Sequence, residues 1–183
     1  MKNQKSNFKD EYLRLDTYNL VTMAMLVAIQ IIFSRFLSIQ AYNIRIGFSF
    51  MALAMAGMLL GPVRAGLVGF AADILGLFLF SGSTFNPGIT LTTTCVGILF
   101  GVFLYKKPTV ARCIIAVAIH QLFFSLVLNS LWLAMMYDTT LTAMMLSRLP
   151  QAAFMLPVEM ATVIFICNRK TVNMLYYNMV AGK

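Results

Sequence analysis

The chain has 183 residues, of which 60% are hydrophobic and 11% charged, and its mean hydropathy is +0.82. A soluble domain is about 45–50% apolar and about 25% charged, so positions that would meet water in such a domain are built here to meet something apolar. The formal charge of +8 does not indicate nucleic acid as a partner, because the basic residues sit between apolar runs and form no stripe with aromatics; that is the patterning of membrane topology. The length suits one domain.

Residues 1–16 form a polar segment, MKNQKSNFKDEYLRLD, too long in its polarity for a simple signal peptide and too mixed in charge for a transit peptide. The membrane domain is expected over residues 17–183. A bilayer core takes about 20 apolar residues per helix, and six runs qualify: 17–37, 46–60, 63–80, 89–105, 111–136 and 141–167. The second is short and is closed by Gly61-Pro62, so a tight corner separates it from the third. The segment SGSTFNPG after the third run is rich in turn formers and is expected to be a loop. Lys106-Lys107-Pro108 closes the fourth run, Asp138-Thr139-Thr140 makes a short turn after the fifth, and Pro150 and Pro157 fall inside the sixth. The expected fold is an all-α bundle of six transmembrane helices in a lipid bilayer.

Lysine and arginine bias in the short connections sets the orientation. Lys2, Lys5, Lys9, Arg14, Arg64, Lys106, Lys107, Arg112, Arg169, Lys170 and Lys183 all fall on one side if there are six spans. The other side holds only Arg35, Arg45 and Arg148 among the basic residues. Both termini are therefore expected on the cytoplasmic side of the cell membrane.

The three outer arginines run against that bias. Arg35 ends the first span, Arg45 opens the second, and Arg148 lies within the sixth. Ionisable residues in a membrane are costly and face the interior or a cavity. A guanidinium fork matches a carboxylate, so these residues suit a carboxylate-bearing ligand arriving from outside; the plainer alternative is snorkelling to lipid phosphate. Two acids also lie in spans, Asp73 and Glu159, and each has two readings: contact with a heterocycle carrying adjacent N–H donors, or pairing with an internal arginine or hydroxyl. Polar and aromatic residues gather in the outer halves of the last three spans: Phe85, Asn86, Thr90, Thr93 and Thr94 around the fourth, Asn129 and Trp132 in the fifth, Gln151 with Arg148 in the sixth. Residues three apart share a helix face, amides both donate and accept, and aromatics supply stacking walls. The alternative for this cluster is an interfacial aromatic belt with interhelical hydrogen bonds. His120, the only histidine, is expected to pack or to hydrogen-bond.

Small residues recur at close spacing: Ala24 and Ala28 in the first span, then Gly61, Ala65, Gly69 and Ala72 through the third. Such residues let helix backbones approach in lipid. They suit either docking to another membrane subunit or internal packing. Cys95, Cys113 and Cys167 are widely spaced, with no CxxC, and read as small packing residues; no metal site or cofactor is indicated. There is no GxxxxGK[ST] loop for ATP and no HExxH. Few acid–base candidates remain, so the chain is not expected to be an enzyme, and a solute-binding protein without its own ATPase needs partners to transport.

The stretches AMLVAIQIIFSRFLSI, RIGFSF, AGMLLGPVRAGLVGFAADILG, FNPGITL, LNSLWL and RLPQAAFMLPVE resemble the substrate-binding S-components of energy-coupling-factor vitamin transporters, and within them the folate-specific members. The resemblance covers nearly all of the chain beyond its first fifteen or so residues. It implies a six-helix bundle with an outward-facing pocket covered by the loop between the first two spans. It implies as partners a transmembrane coupling subunit and two ATPase subunits, with the Ala24/Ala28 face, Ala65 and Gly69 meeting the coupling subunit, and toppling of the loaded component to release vitamin inside. Folate joins a flat pterin to an aminobenzoate and a dicarboxylate tail. Phe85, Asn86, Asn129 and Trp132 are then expected around the rings, Thr90 and Gln151 among the other substrate-binding residues, and Arg35, Arg45 and Arg148 at the carboxylates, though one arginine has pterin O4 as an alternative target. The competing readings are an S-component for another small heterocyclic vitamin or precursor, a small membrane enzyme or assembly factor, and a channel. The enzyme would need a catalytic set the chain lacks, and the channel an unbroken polar lining.

Overall fold

The computed structural model describes residues 17–41, 44–79, 86–105 and 109–167. The polar segment 1–16, Phe85, the basic pair Lys106-Lys107 and the basic tail lie outside them. Within the described residues six helices run in sequence: α1 (Thr17–Arg35), α2 (Ser49–Leu60), α3 (Pro62–Leu79), α4 (Pro87–Leu104), α5 (Val110–Met136) and α6 (Leu141–Ile166). Between α1 and α2 lies a short antiparallel hairpin, β1 (Ile39–Ala41) and β2 (Ile44–Ile46), paired in the register Ile39 with Ile46, Gln40 with Arg45 and Ala41 with Ile44.

Among the described residues, five helices are long and apolar enough to cross a membrane. The exception is α2. Its 12 residues rise about 18 Å, against a hydrocarbon core of about 30 Å. The sequence places a short second run at 46–60; the structure assigns Ile46 to β2 and residues 47–48 to a connector. The short helix is buried inside the bundle, with Phe50, Leu53, Met58 and Leu60 among its enclosed residues. The outer helices do the reverse. Val21, Met25 and Ile32 of α1, Phe78 of α3 and Phe154 and Phe165 of α6 are exposed. In water such surface would aggregate; against acyl chains it is ordinary, because the backbone groups are satisfied within each helix.

The α2–α3 corner follows from two residues. Gly61 has φ +83°, a left-handed conformation that favours glycine after a helix C-terminus. Pro62 opens α3, where its missing N–H costs nothing. Past the corner, α3 and α4 pack backbone to backbone. A Cβ at Gly97 would lie 2.4 Å from the Ala65 carbonyl oxygen, and one at Gly69 would lie 2.8 Å from that of Thr93. The small-residue face of α3 therefore meets α4. Ala65 is fully buried, so it and Gly69 serve internal packing. Ala24 and Ala28 lie on the exposed face of α1.

Two irregularities shape the other half of the bundle. In α5 the stretch His120–Leu128 winds as a π-helix between α-helical Val110–Ile119 and Asn129–Met136. The widened turn brings His120, Gln121, Phe124, Ser125 and Asn129 to the same cavity. Helix α6 carries Pro150 and Pro157 internally, each removing one backbone bond, a loss tolerated in membrane helices by local adjustment.

The main core gathers Phe100 and Leu104 of α4, Cys113 and Val117 of α5, and Val163 and Ile166 of α6, with Phe50, Leu53 and Met58 of α2. Most of these lie where α4 and α6 end and α5 begins. The bundle is solid at that end and hollow toward the hairpin.

Candidate ligand-binding cavity

The hollow is a cavity of about 150 Å³, an order of magnitude above the space a single water needs. Every helix and the connector after β2 contribute to its wall. Helix α1 supplies Gln30 and Ser34; Gly47, Ser49 and Phe50 come from the connector and α2; Asp73 comes from α3 and Thr92 and Thr93 from α4. The α5 face described above forms a fourth side, and α6 closes the ring with Arg148, Gln151, Met155 and Glu159. Those α6 spacings of three, four and four keep one face inward.

Each polar group has an identifiable setting. Arg148, 6% exposed, donates from Nη1 to the Ser125 carbonyl at 3.4 Å, an acceptor on the π-helical stretch. Asp73 accepts from the Thr90 hydroxyl at 2.6 Å. Glu159, 3% exposed, meets His120 Nδ1 at 2.9 Å, and the His120 ring leans on Phe100 with centroids 5.4 Å apart. Two buried amide oxygens, Gln30 Oε1 and Asn129 Oδ1, find no hydrogen-bond partner among the described residues. Burying such acceptors unpaired costs about 1–3 kcal/mol each. An arrangement that leaves two of them at one cavity suits a ligand bearing N–H donors. Phe50 and Phe124 give the cavity aromatic walls.

Of the residues singled out in the sequence, Asp73, Thr93, His120, Asn129, Arg148, Gln151 and Glu159 come together at the cavity. Four others are placed beside it, in roles that build the wall. Asn86 caps α4: its Oδ1 accepts the Gly88 N–H at 2.9 Å and its Nδ2 donates to the Trp132 carbonyl at 3.4 Å. Trp132 lies over Gly88, where a Cβ would come within 2.2 Å of the ring. Its Nε1 donates to Thr92 Oγ1 at 3.1 Å, so Thr92 stands between the indole and the cavity. Thr90 is engaged by Asp73. Arg35 packs its guanidinium on Gly76 of α3. Arg45 pairs its backbone with Gln40, and its side chain, like Phe85, lies outside what is described. Thr93 and Thr94 return their hydroxyls to carbonyls one turn back, those of Ile89 and Thr90.

Sequence reasoning passes over Gln30, Gln121, Phe124 and Ser125. A glutamine inside an apolar run is itself a signal, because polar residues in spans are rare and face inward; Gln30 and Gln121 carry it. Nothing in the sequence announces the π-helix that turns Phe124 and Ser125 to the cavity. The partner of Glu159 is a histidine on α5, where an arginine or a hydroxyl is expected, and Asp73 does take a hydroxyl.

Three comparisons bear on this arrangement. A folate transporter FolT of Clostridium novyi (strain NT) is 39% identical over 141 residues, 76% of this chain and 82% of that protein. A folate transporter FolT of Leuconostoc mesenteroides is 26% identical over 167 residues, 87% of this chain and 90% of its own length. A crystal structure of FolT bound with folic acid superposes with a TM-score of 0.80 at 30% identity, covering 84% of this chain and 95% of that one. The family described as "ECF transporter, substrate-specific component" matches residues 18–167, a stretch holding every helix and every cavity residue named above. The chain belongs to the substrate-specific components of ECF transporters.

Proposed function

We propose that this protein is the folate-binding subunit of an ECF-type importer in a bacterial plasma membrane. It captures the vitamin and hands it inward with a transmembrane coupling subunit and two ATPase subunits, which supply ATP hydrolysis. The observation that carries this most is the match in fold and sequence to FolT bound with folic acid. The cavity agrees chemically. A buried guanidinium suits the dicarboxylate tail, unsatisfied amide acceptors suit pterin N–H groups, and two phenylalanines suit flat rings. Contacts are assigned to Gln30, Asn129, Arg148 and Gln151. Arg35 and Arg45 are further candidates for the carboxylate tail. With both termini cytoplasmic, the hairpin side faces outward.

The experiment is a competition assay on the purified protein. Folic acid is expected to bind one site saturably, with riboflavin and thiamine failing to displace it. Displacement by riboflavin at equal affinity would shift the assignment to a different heterocyclic vitamin.

A further inference from the structure

Two of the three cysteines lie together at the packed end of the bundle, away from the cavity. Cys113 stands in the opening turn of α5, where its amide donates to the Thr109 carbonyl at 3.0 Å. Cys167 directly follows α6, and its amide donates to the Val163 carbonyl at 2.8 Å. The two residues belong to one core cluster, and their thiols share a hydrogen bond. The register of the antiparallel α5–α6 pair leads to the same contact. His120 and Glu159 fix one point where these helices meet, at 2.9 Å. Two turns back along α5 from His120 is Cys113, and about two turns on along α6 from Glu159 is Cys167. Val117 and Val163 fill the core between those two crossings. Cys95 stands apart, midway along α4 and only partly buried.

Two thiols in contact carry a chemistry that two methyl groups in the same place would lack. Both are free in this structure. A disulfide asks the sulfurs to close to about 2.05 Å. The movement falls where it is cheapest, because Cys167 lies past the last residue of α6 and helix ends fray. Cys113 is 1% exposed and Cys167 7%, so a small oxidant arriving at this end meets Cys167 first. Oxidation of Cys167 alone beyond the sulfenic stage is irreversible and would put a sulfinate against an apolar core, where an unpaired charge is costly. A neighbouring thiol intercepts that path.

We propose that Cys113 and Cys167 are an oxidation site, at which hydrogen peroxide forms an intramolecular disulfide tying the start of α5 to the end of α6. The Cys167 sulfur attacks one peroxide oxygen, the O–O bond breaks, and hydroxide leaves as water with the thiol proton, giving a sulfenic acid. The Cys113 sulfur then attacks the Cys167 sulfur, the S–O bond breaks, and a second water leaves with the Cys113 proton. The two thiols lose two electrons and two protons to the peroxide. Neither cysteine lines the cavity among the described residues, so the bridge reinforces the seam below His120 and Glu159 and leaves the ligand site as it was. The inference does not depend on which vitamin the cavity holds.

The test treats the reduced, purified full chain with hydrogen peroxide, alkylates it with N-ethylmaleimide after denaturation, and reads its mass and peptides. The expected product is a monomer lighter by two hydrogens, alkylated only at Cys95, with a linked peptide pair joining Cys113 to Cys167. Dithiothreitol should return all three cysteines to alkylation. Because the bridge closes a long loop, the oxidised protein should melt roughly 5–10 °C above the reduced one, with its affinity for folic acid within about twofold. Cys95→Ser should change none of this. Cys113→Ala should abolish the bridge and leave Cys167 to be trapped by dimedone as its sulfenic acid. Should that variant not fold, Cys167→Ala carries the complementary comparison, with no bridge and with Cys113 still alkylated after peroxide. Three alkylated cysteines after peroxide, a link through Cys95, or chains joined to one another would overturn the assignment. A bridged protein that melts no higher than the reduced one would overturn the reinforcing role.

Discussion

Arg148 is buried at the cavity with its guanidinium against a backbone carbonyl of the π-helical stretch. A charge-assisted bond from such a group to a ligand carboxylate is worth about 1.5–3 kcal/mol, or about one to two decades of affinity. Arg148→Gln is therefore expected to raise the Kd for folic acid by about ten- to a hundredfold while the protein still elutes and melts as a folded species. Gln30 makes a sharper test, because binding and stability should move in opposite directions. Its buried oxygen lacks a partner among the described residues, so the empty protein bears a desolvation cost that Gln30→Met removes. The variant should melt higher without ligand, by an amount corresponding to about 1–2 kcal/mol, and bind folic acid more weakly. A lower melting temperature would mean that the amide serves the fold. At this scale the sequence marks Arg148, Gln151 and Asn129 as polar residues within apolar helices, and the structure places all three at the cavity. Elsewhere a polar residue is engaged by the fold itself. Asn86 and Trp132 look like ligand contacts in the chain, yet one caps α4 and the other packs over Gly88. Only the three-dimensional neighbour distinguishes those cases.

Among the elements, the α3–α4 pair is the most closely fitted. A glycine stands on one side wherever the two backbones approach, with Gly69 against Thr93, Gly97 against Ala65 and Gly101 against Pro62. Gly97→Ala would drive a methyl against the Ala65 carbonyl; overpacking of this sort costs about 1–3 kcal/mol. The expected outcome is a lower melting temperature in detergent, with the loss partly recovered when folic acid is added. An unchanged melting temperature would show that α3 and α4 separate more easily than the contact suggests. Helix positions were legible to within a few residues because apolar runs, the Gly61-Pro62 corner and the Asp138 turn bound them. The run 46–60 reads as a short span, and hydropathy cannot separate a buried short helix from a lipid-facing one. The hairpin and the π-helix were not legible for a related reason. Three-residue strands carry too little alternation to detect, and a π-turn has no residue signature.

Across the whole molecule, one end is packed and the other hollow, and the outside is apolar except at the ends. An enclosed cavity in an apolar bundle suits the binding role of a substrate-specific component. The exposed Ala24 and Ala28 give α1 a shallow face on which a partner helix can approach closely. That face lies away from the cavity residue Gln30, which is buried. Ala28→Trp should leave folic acid affinity within about twofold of wild type and should abolish folate accumulation in cells that also carry the coupling and ATPase subunits. Uptake at the wild-type rate would place the partner elsewhere. The division of labour between capture and energy supply was read from missing motifs as much as from present ones, and family membership agrees with it.

The most direct test of the account is a calorimetric titration of the detergent-purified protein with folic acid, run beside riboflavin and thiamine. The account predicts one-site, saturable heat with folic acid alone, accompanied by a rise in melting temperature as the unsatisfied acceptors gain partners. A folded protein that gives no heat and no thermal shift with folic acid would contradict it.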